Sequence, residues 1–170
     1  MLSSASDPQD YTLSTFFITI PAGATSASLD VNLVDDAIAE LSETIIIDMG
    51  TPVNATAGLV STHTLTVNDD DQVLVSMVID NANINENGGI ATATLTLNTS
   101  ATFPVTANVI YSGTAVIATD YGVSSTSVTF LPGSVSETIT ITSIDDLIFD
   151  ASETLIIDVD TGLSGTVTGK

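Results

Sequence analysis

The chain has 170 residues, and 44% of them are apolar, which is too large a share for a disordered acidic tail. Its 21 acidic residues against a single Lys or Arg give a net charge of -20, which repels nucleic-acid phosphates and anionic lipids. The absence of cysteine excludes disulfides, thiol catalysis and thiolate ligands for zinc. Because of this charge, we expect no nucleic-acid partners. No apolar run is long enough for a membrane-spanning helix, so we expect no membrane insertion.

Short runs of apolar and β-branched residues follow one another along the chain, without a helical period. In chain order, the predicted strands are Phe16–Ile20, Ala27–Leu33, Thr44–Met49, His63–Val67, Val73–Ile79, Ala91–Leu97, Val105–Tyr111, Ser127–Leu131, Ile139–Thr142 and Thr154–Val159. Turns are predicted at Pro21–Gly23, Asn87–Gly89 and Pro132–Gly133, where Gly or Pro sets the backbone angles. Many short strands with regular turns favour an antiparallel β-sandwich.

The sequence repeats itself at a shift of 110 positions, without gaps. Asp10 recurs as Asp120, and Glu43 recurs as Glu153. This period is longer than the roughly 20 to 50 residues of solenoid repeats, so each copy is predicted to be a whole domain.

The phase of the repeat leaves both copies partial. Residues 1–71 hold the C-terminal part of a first module, and residues 72–170 hold a second module that lacks its closing strand. Because open sheet edges accept further strands, we expect neighbouring modules or other copies of the chain to complete these sheets.

Each copy contains an acidic loop that runs directly into a β-branched strand. The loop is Asp35–Glu43 in the first copy and Asp145–Glu153 in the second. Acidic residues are ordinary turn formers, so solvated turns are one interpretation. Carboxylates about 4 Å apart repel by roughly 4 kcal/mol per pair at an effective dielectric near 20, which favours the other interpretation, a site for a cation such as Ca2+.

Several motifs, taken in order, resemble a Calx-beta module. They are Glu86–Gly89, Thr119–Tyr121, Phe130–Gly133, Ile144–Asp146 and Ser152–Thr154, with Val67–Asp71 closing the first copy. The resemblance implies an all-β fold of tandem immunoglobulin-like antiparallel sandwiches, each with seven strands and a calcium site at one end. Such modules are known from sodium/calcium exchangers and large bacterial surface proteins.

Carried over position by position, the resemblance implies acidic calcium ligands in both copies. In the first copy they are Asp10, Asp35, Asp36, Glu40, Glu43, Asp69, Asp70 and Asp71, and in the second they are Glu86, Asp120, Asp145, Asp146, Asp150 and Glu153. In such a sandwich the loop Asp35–Glu43 is expected to lie near Asp69–Asp71.

Catalysis has little support in the sequence. The tracts Ser3–Ser6 and Ser124–Ser127 have no glycine elbow, and the lone His63 is placed in a strand, away from both. Glycoside hydrolysis needs a carboxyl in an apolar cleft, and the chain has no Trp to line a sugar site. We therefore predict that the chain is not an enzyme.

The leading hypothesis is a calcium-binding structural and adhesive module of a long extracellular or cell-surface protein, such as a filament, with an unknown surface or glycan as its target. The alternative is a calcium-sensing regulatory module attached to an enzyme or transporter. A sensor predicts dissociation constants near the micromolar range, whereas a stalk matched to external calcium predicts millimolar ones.

Overall fold

The computed structural model describes residues 3–146 and 152–160. Every element of regular secondary structure in these residues is a β-strand, which confirms the predicted all-β class. The chain divides into two compact units, one formed by Met1–Ala37 with Leu41–Asp70 and the other by Ile38–Glu40 with Asp71–Lys170. Among the described residues, no helix is present that could cross a membrane.

The described residues form eleven strands, four in the first unit and seven in the second. Those of the first unit are β1 (Tyr11–Leu13), β2 (Val31–Leu33), β3 (Glu43–Asp48) and β4 (Thr62–Val67). Those of the second unit are β5 (Val75–Ile79), β6 (Ile90–Leu97), β7 (Val105–Gly113), β8 (Tyr121–Val123), β9 (Ser127–Phe130), β10 (Ser136–Ser143) and β11 (Leu155–Asp160).

The second unit is an antiparallel β-sandwich. One sheet has the strand order β5-β6-β10-β8, and the other has the order β11-β7-β9. The buried core draws on both sheets, with Leu95 and Ile139 from the first and Ala107, Phe130 and Ile157 from the second. Because side chains on a strand alternate between faces, the period of two in the sequence supplies this buried layer.

A buried tyrosine marks one corner of this sandwich. Tyr121 is buried, and its ring centroid lies 6.3 Å from that of Tyr111. The hydroxyl of Tyr111 donates a hydrogen bond of 2.8 Å to the carbonyl of Ser125. Tyr121 begins β8, a three-residue strand that the sequence patterns do not indicate.

Two β-strands approach each other closely at the end of β7. Gly113 has a φ of +121°, and a Cβ atom there would lie 2.1 Å from the carbonyl oxygen of Thr154. Glycine is therefore required at this position. The next residue, Thr114, donates its N–H to the same carbonyl at 2.9 Å.

The first unit repeats parts of this architecture residue for residue. Strand β1 pairs with β2, with Tyr11 opposite Leu33, and at a shift of 110 positions Tyr121 lies opposite Ser143 in the second unit. Strand β3 pairs with β4 over six positions in antiparallel register. The register of β1 with β2 thus recurs in the second unit, as the sequence repeat predicts.

Two strands predicted in the first copy are wrong or too long. Phe16–Ile20 forms no strand, and of Ala27–Leu33 only Val31–Leu33 does. Their counterparts, β9 and the start of β10, pair with β7 and β6. The described first unit holds no counterparts of β6 and β7, so these segments lack the strands that their counterparts pair with. The large apolar side chains of Phe16–Ile20 are exposed.

The predicted proline and glycine turns are confirmed. Ala24 donates its N–H to the carbonyl of Pro21 at 3.0 Å, and Ser134 donates to Leu131 at 2.8 Å. Gly23 and Gly133, which are equivalent in the repeat, have φ values of +84° and +81°. These turns therefore form in both copies, whether or not the flanking segments pair with neighbouring strands.

The segment Phe16–Ile20 is exposed, whereas its counterpart β9 contributes to the core, and one pair of equivalent positions tests this difference. Phe130 is 0% exposed, whereas its counterpart Ile20 is 55% exposed. Phe130→Ala should lower the free energy of unfolding by about 3 to 5 kcal/mol because it leaves a cavity. Ile20→Ala should change it by less than about 0.5 kcal/mol. Urea denaturation followed by circular dichroism measures both, and equal losses would contradict the two different environments.

Candidate metal centre

Asp10 is held in place by a short loop immediately before β1. Its Oδ2 accepts hydrogen bonds from the backbone N–H of Ser6 at 2.6 Å and from the Ser6 hydroxyl at 2.9 Å. The same loop recurs in the second copy, where Oδ2 of Asp120 accepts the N–H of Val116 at 2.6 Å. A backbone-to-carboxylate bond thus fixes both aspartates at the start of a strand.

Glu43 is the first residue of β3, and that strand is tied to the segment that carries Asp10. Ser4 donates its N–H to the carbonyl of Thr44 at 3.0 Å, and the N–H of Thr44 donates to the Ser4 hydroxyl at 2.7 Å. Ser4 and Ser6 therefore connect Asp10 to Glu43 through the backbone.

The sequence analysis does not predict this supporting role, because it considers Ser3–Ser6 only as possible nucleophiles. One signal for it lies in the repeat. Thr114, the counterpart of Ser4, makes the same contacts with Thr154, at 2.9 Å from its N–H and 2.8 Å to its hydroxyl. A hydroxyl at equivalent positions of both copies points to a structural hydrogen bond.

Three of the predicted ligands come together in the first copy. Asp10, Glu40 and Glu43 are half-buried, and each offers a carboxylate oxygen within 4.8 Å of the other two. Burial raises the pKa of Glu43, and the negative charge of Asp10 and a hydrogen bond between the two side chains raise it further. Two ionised carboxylates this close repel each other. A proton shared between them, or a bound cation, would relieve this repulsion.

The geometry of these three carboxylates fits a calcium ion. Oxygens that bind one Ca2+ at about 2.3 to 2.6 Å lie at most about 5 Å apart. The three carboxylate oxygens meet this limit. A set made only of oxygen ligands suits hard cations such as Ca2+ rather than zinc or copper.

In the second copy, predicted ligands gather at one end of the four-stranded sheet. Ser143, the last residue of β10, donates its hydroxyl to the carbonyl of Glu86 at 2.9 Å. The next residue, Ile144, donates its N–H to the carbonyl of Asp120 at 2.9 Å, and Asp145 follows it directly. The backbone thus brings Glu86, Asp120 and Asp145 to the same sheet end.

The remaining predicted ligands are not part of a described group of three carboxylates, and their roles stay predictions. Asp35 and Asp36 follow β2, Asp145 and Asp146 follow β10, Asp69, Asp70 and Asp71 follow β4, and Glu153 precedes β11. Asp150, the counterpart of Glu40, lies outside the described residues. Beside Asp69, the Asn68 side chain accepts a hydrogen bond of 3.0 Å from the hydroxyl of Ser42 in the first acidic loop.

The raised pKa of Glu43 predicts a pH dependence of stability in calcium-free buffer. A carboxyl whose pKa is higher in the folded state stabilises the fold while protonated, and this contribution is lost as the pH rises through the folded pKa. Glu43→Gln should therefore melt at a higher temperature than the unmodified chain at pH 7, and the two should converge toward pH 4.

Asp30→Asn is the matched control, because it removes one exposed negative charge away from the group. Thermal melts followed by circular dichroism from pH 4 to pH 8 make the comparison. If Glu43→Gln and Asp30→Asn shift the melting temperature equally across this range, the Asp10 carboxylate does not raise the pKa of Glu43 in solution.

Comparison with known families agrees with this architecture. The model of the Calx-beta domain matches residues 3–71 and 68–167, so the two matches follow the repeat and cover most of the chain. No curated protein matches the chain. Calx-beta domains are non-catalytic and generally bind calcium. With its paired sheets, its repeat and its carboxylate group, the chain belongs to the Calx-beta domain family.

Proposed function

We propose that this chain is a calcium-binding structural module of a long extracellular or cell-surface protein built from repeats. The observation that supports calcium binding is the group formed by Asp10, Glu40 and Glu43, whose oxygens lie within reach of one ion. The observation that supports a repeated structural role is the register of β1 with β2, which β8 and β10 repeat at a shift of 110 positions.

The residues of the first unit suggest what ligation does there. Asp10 lies at the start of β1, and Glu43 lies at the start of β3, so the two carboxylates belong to two separate two-stranded sheets. A bound Ca2+ supplies positive charge that offsets the repulsion between these carboxylates. Asp10 and Glu43 would then hold the two sheets together, where isolated two-stranded sheets are only marginally stable.

The charge of the chain supports an external, adhesive role for the parent protein. A net charge of -20 disfavours anionic partners, and a surface or glycan target bridged by calcium is compatible with it. The binding constant separates this proposal from the sensor alternative. A value in the millimolar range favours a stalk in external calcium, and a value near the micromolar range favours a sensor.

Calcium should raise the melting temperature of the chain. A ligand that binds only the folded state stabilises it by roughly 2.7 kcal/mol per site when its free concentration is 100 times the dissociation constant. Differential scanning calorimetry in calcium, in chelator, and in chelator with added NaCl tests this. Salt should recover only part of the effect, because screening acts weakly on partly buried charges.

Asp10→Asn provides the site-specific arm of this experiment. The amide oxygen can still accept the Ser6 hydrogen bonds, so the loop is retained while one charged ligand is lost. We expect a weaker calcium response for Asp10→Asn and an unchanged response for the exposed control Asp30→Asn. Identical melting curves in all three buffers would rule out calcium binding and leave the acidic loops as solvated turns.

A further inference from the structure

Two Asn-x-Ser/Thr sequences occur in the chain, and their surroundings in the structure differ. They are Asn54-Ala55-Thr56 and Asn98-Thr99-Ser100. This pattern is the acceptor sequence for N-linked glycans when the middle residue is not proline. Transfer of a sugar needs a side-chain amide that can leave the protein surface. The contacts of the two asparagines therefore decide which of them can be modified.

Asn98 is engaged in structural hydrogen bonds. Its Nδ2 donates to the carbonyl of Gln72 at 3.0 Å, and its Oδ1 accepts the N–H of Leu74 at 2.6 Å. Its backbone N–H donates to the carbonyl of Leu74 at 3.1 Å. These bonds connect the end of β6 to the segment that enters β5. Withdrawal of the Asn98 amide would leave the N–H of Leu74 without its side-chain partner, at a cost in stability.

Asn54 lies in the loop between β3 and β4, residues 49–61. The loop is closed at its base by a hydrogen bond of 2.7 Å from the N–H of Met49 to the carbonyl of Ser61, next to the last strand pair, Asp48 opposite Thr62. A further strand of the sheet would pair along the side of this hairpin, whereas the loop extends past its last pair. Every residue from 53 to 60 is exposed.

The side chain of Asn54 is not used to hold the fold. Within the part of the chain that the structure describes, neither the Asn54 amide nor the Thr56 hydroxyl makes a hydrogen bond. Asn54 has a φ of +58°, a left-handed conformation that asparagine adopts more readily than most residues. Both side chains that define this acceptor sequence are therefore available to a modifying enzyme.

The loop is also uncharged and apolar, although the chain has a net charge of -20. Residues 50–61 contain no ionisable side chain, and Val53 and Val60 are 86% and 82% exposed. Exposed apolar groups of this kind favour association between copies. A glycan on Asn54, next to Val53, would keep these side chains apart, because N-linked glycans are bulky and solubilising.

We propose that Asn54 is an N-glycan acceptor site and that Asn98 is not. The donor is a sugar whose anomeric carbon carries a diphosphate leaving group. Nδ2 of Asn54 attacks that carbon, so that a C–N bond forms while the C–O bond to the diphosphate breaks. The amide loses one proton, and the diphosphate leaves with the electron pair. This inference concerns modification of the surface and does not rest on calcium binding.

Glycan transfer to the folded, unmodified chain tests this proposal. One reaction contains an oligosaccharyltransferase with a polyprenyl-diphosphate oligosaccharide, and the other contains a soluble N-glycosyltransferase with a nucleoside-diphosphate glucose, which distinguishes the two kinds of donor. A protease that cleaves before aspartate places the two sites in separate peptides, residues 48–68 and 80–119. Mass spectrometry then gives the modified fraction of each peptide. We expect a severalfold larger fraction at Asn54 than at Asn98 with at least one donor.

Two matched variants each remove the hydroxyl of one acceptor sequence and keep its asparagine. Thr56→Ala should abolish transfer to Asn54, whereas Ser100→Ala should leave that transfer unchanged. Thr56→Ser keeps a hydroxyl and should retain transfer. Thr56 is exposed, so neither of its substitutions should disturb the fold.

Synthetic peptides with the sequences of residues 48–60 and 92–104 separate the effect of the fold from that of the sequence. Both peptides should accept the sugar to a similar extent, because neither asparagine is held by hydrogen bonds there. Equal modification of Asn54 and Asn98 in the folded chain, or no transfer to Asn54 from either donor, would overturn the proposal. A preference in the peptides as large as that in the folded chain would overturn it as well.

Discussion

The structure depends on the pairing of each strand with a neighbour. Backbone N–H and C=O groups need partners before a segment can be buried, so an apolar pattern becomes core only where another strand lies beside it. Strand β7 pairs with β9, and β6 pairs with β10, which places Phe130 and Ile139 in the core. The same pattern at Phe16–Ile20 has no such neighbour among the described residues and stays exposed.

Strand pairing also determines which acidic residues meet. Asp10 is fixed by Ser6, and β3 is fixed by Ser4, so neutral hydroxyls and amides bring like charges together. The chain has one Lys or Arg against 21 acidic residues, so basic side chains can offset only a small part of this negative charge. The raised pKa of Glu43 is one consequence of this arrangement. The proposed Ca2+ would offset the same repulsion.

Much of the fold could be predicted from the sequence because turn residues and a period of two act locally. The turns at Gly23 and Gly133, the strands β3 to β7 and β9 to β11, and the all-β class all follow from such signals. The failures at Phe16–Ile20 and Ala27–Asp30 arise because strand formation is decided by distant partners. For the site, the sequence supplied Asp10, Glu40 and Glu43 as candidates, but not the serine contacts that position them or which of the acids would meet.

The tyrosines provide the chain with an optical probe of its own acidic loops. The chain has three tyrosines and no tryptophan, and Tyr11 and Tyr121 each follow an aspartate of the ligand set directly. Burial raises the pKa of Tyr121, and the neighbouring Asp120 carboxylate raises it further, so this phenol senses the local charge. Neutralisation of that carboxylate by a cation would lower the pKa of the phenol. In an alkaline titration, where the phenol ionises, near-ultraviolet absorbance would report this change without a label.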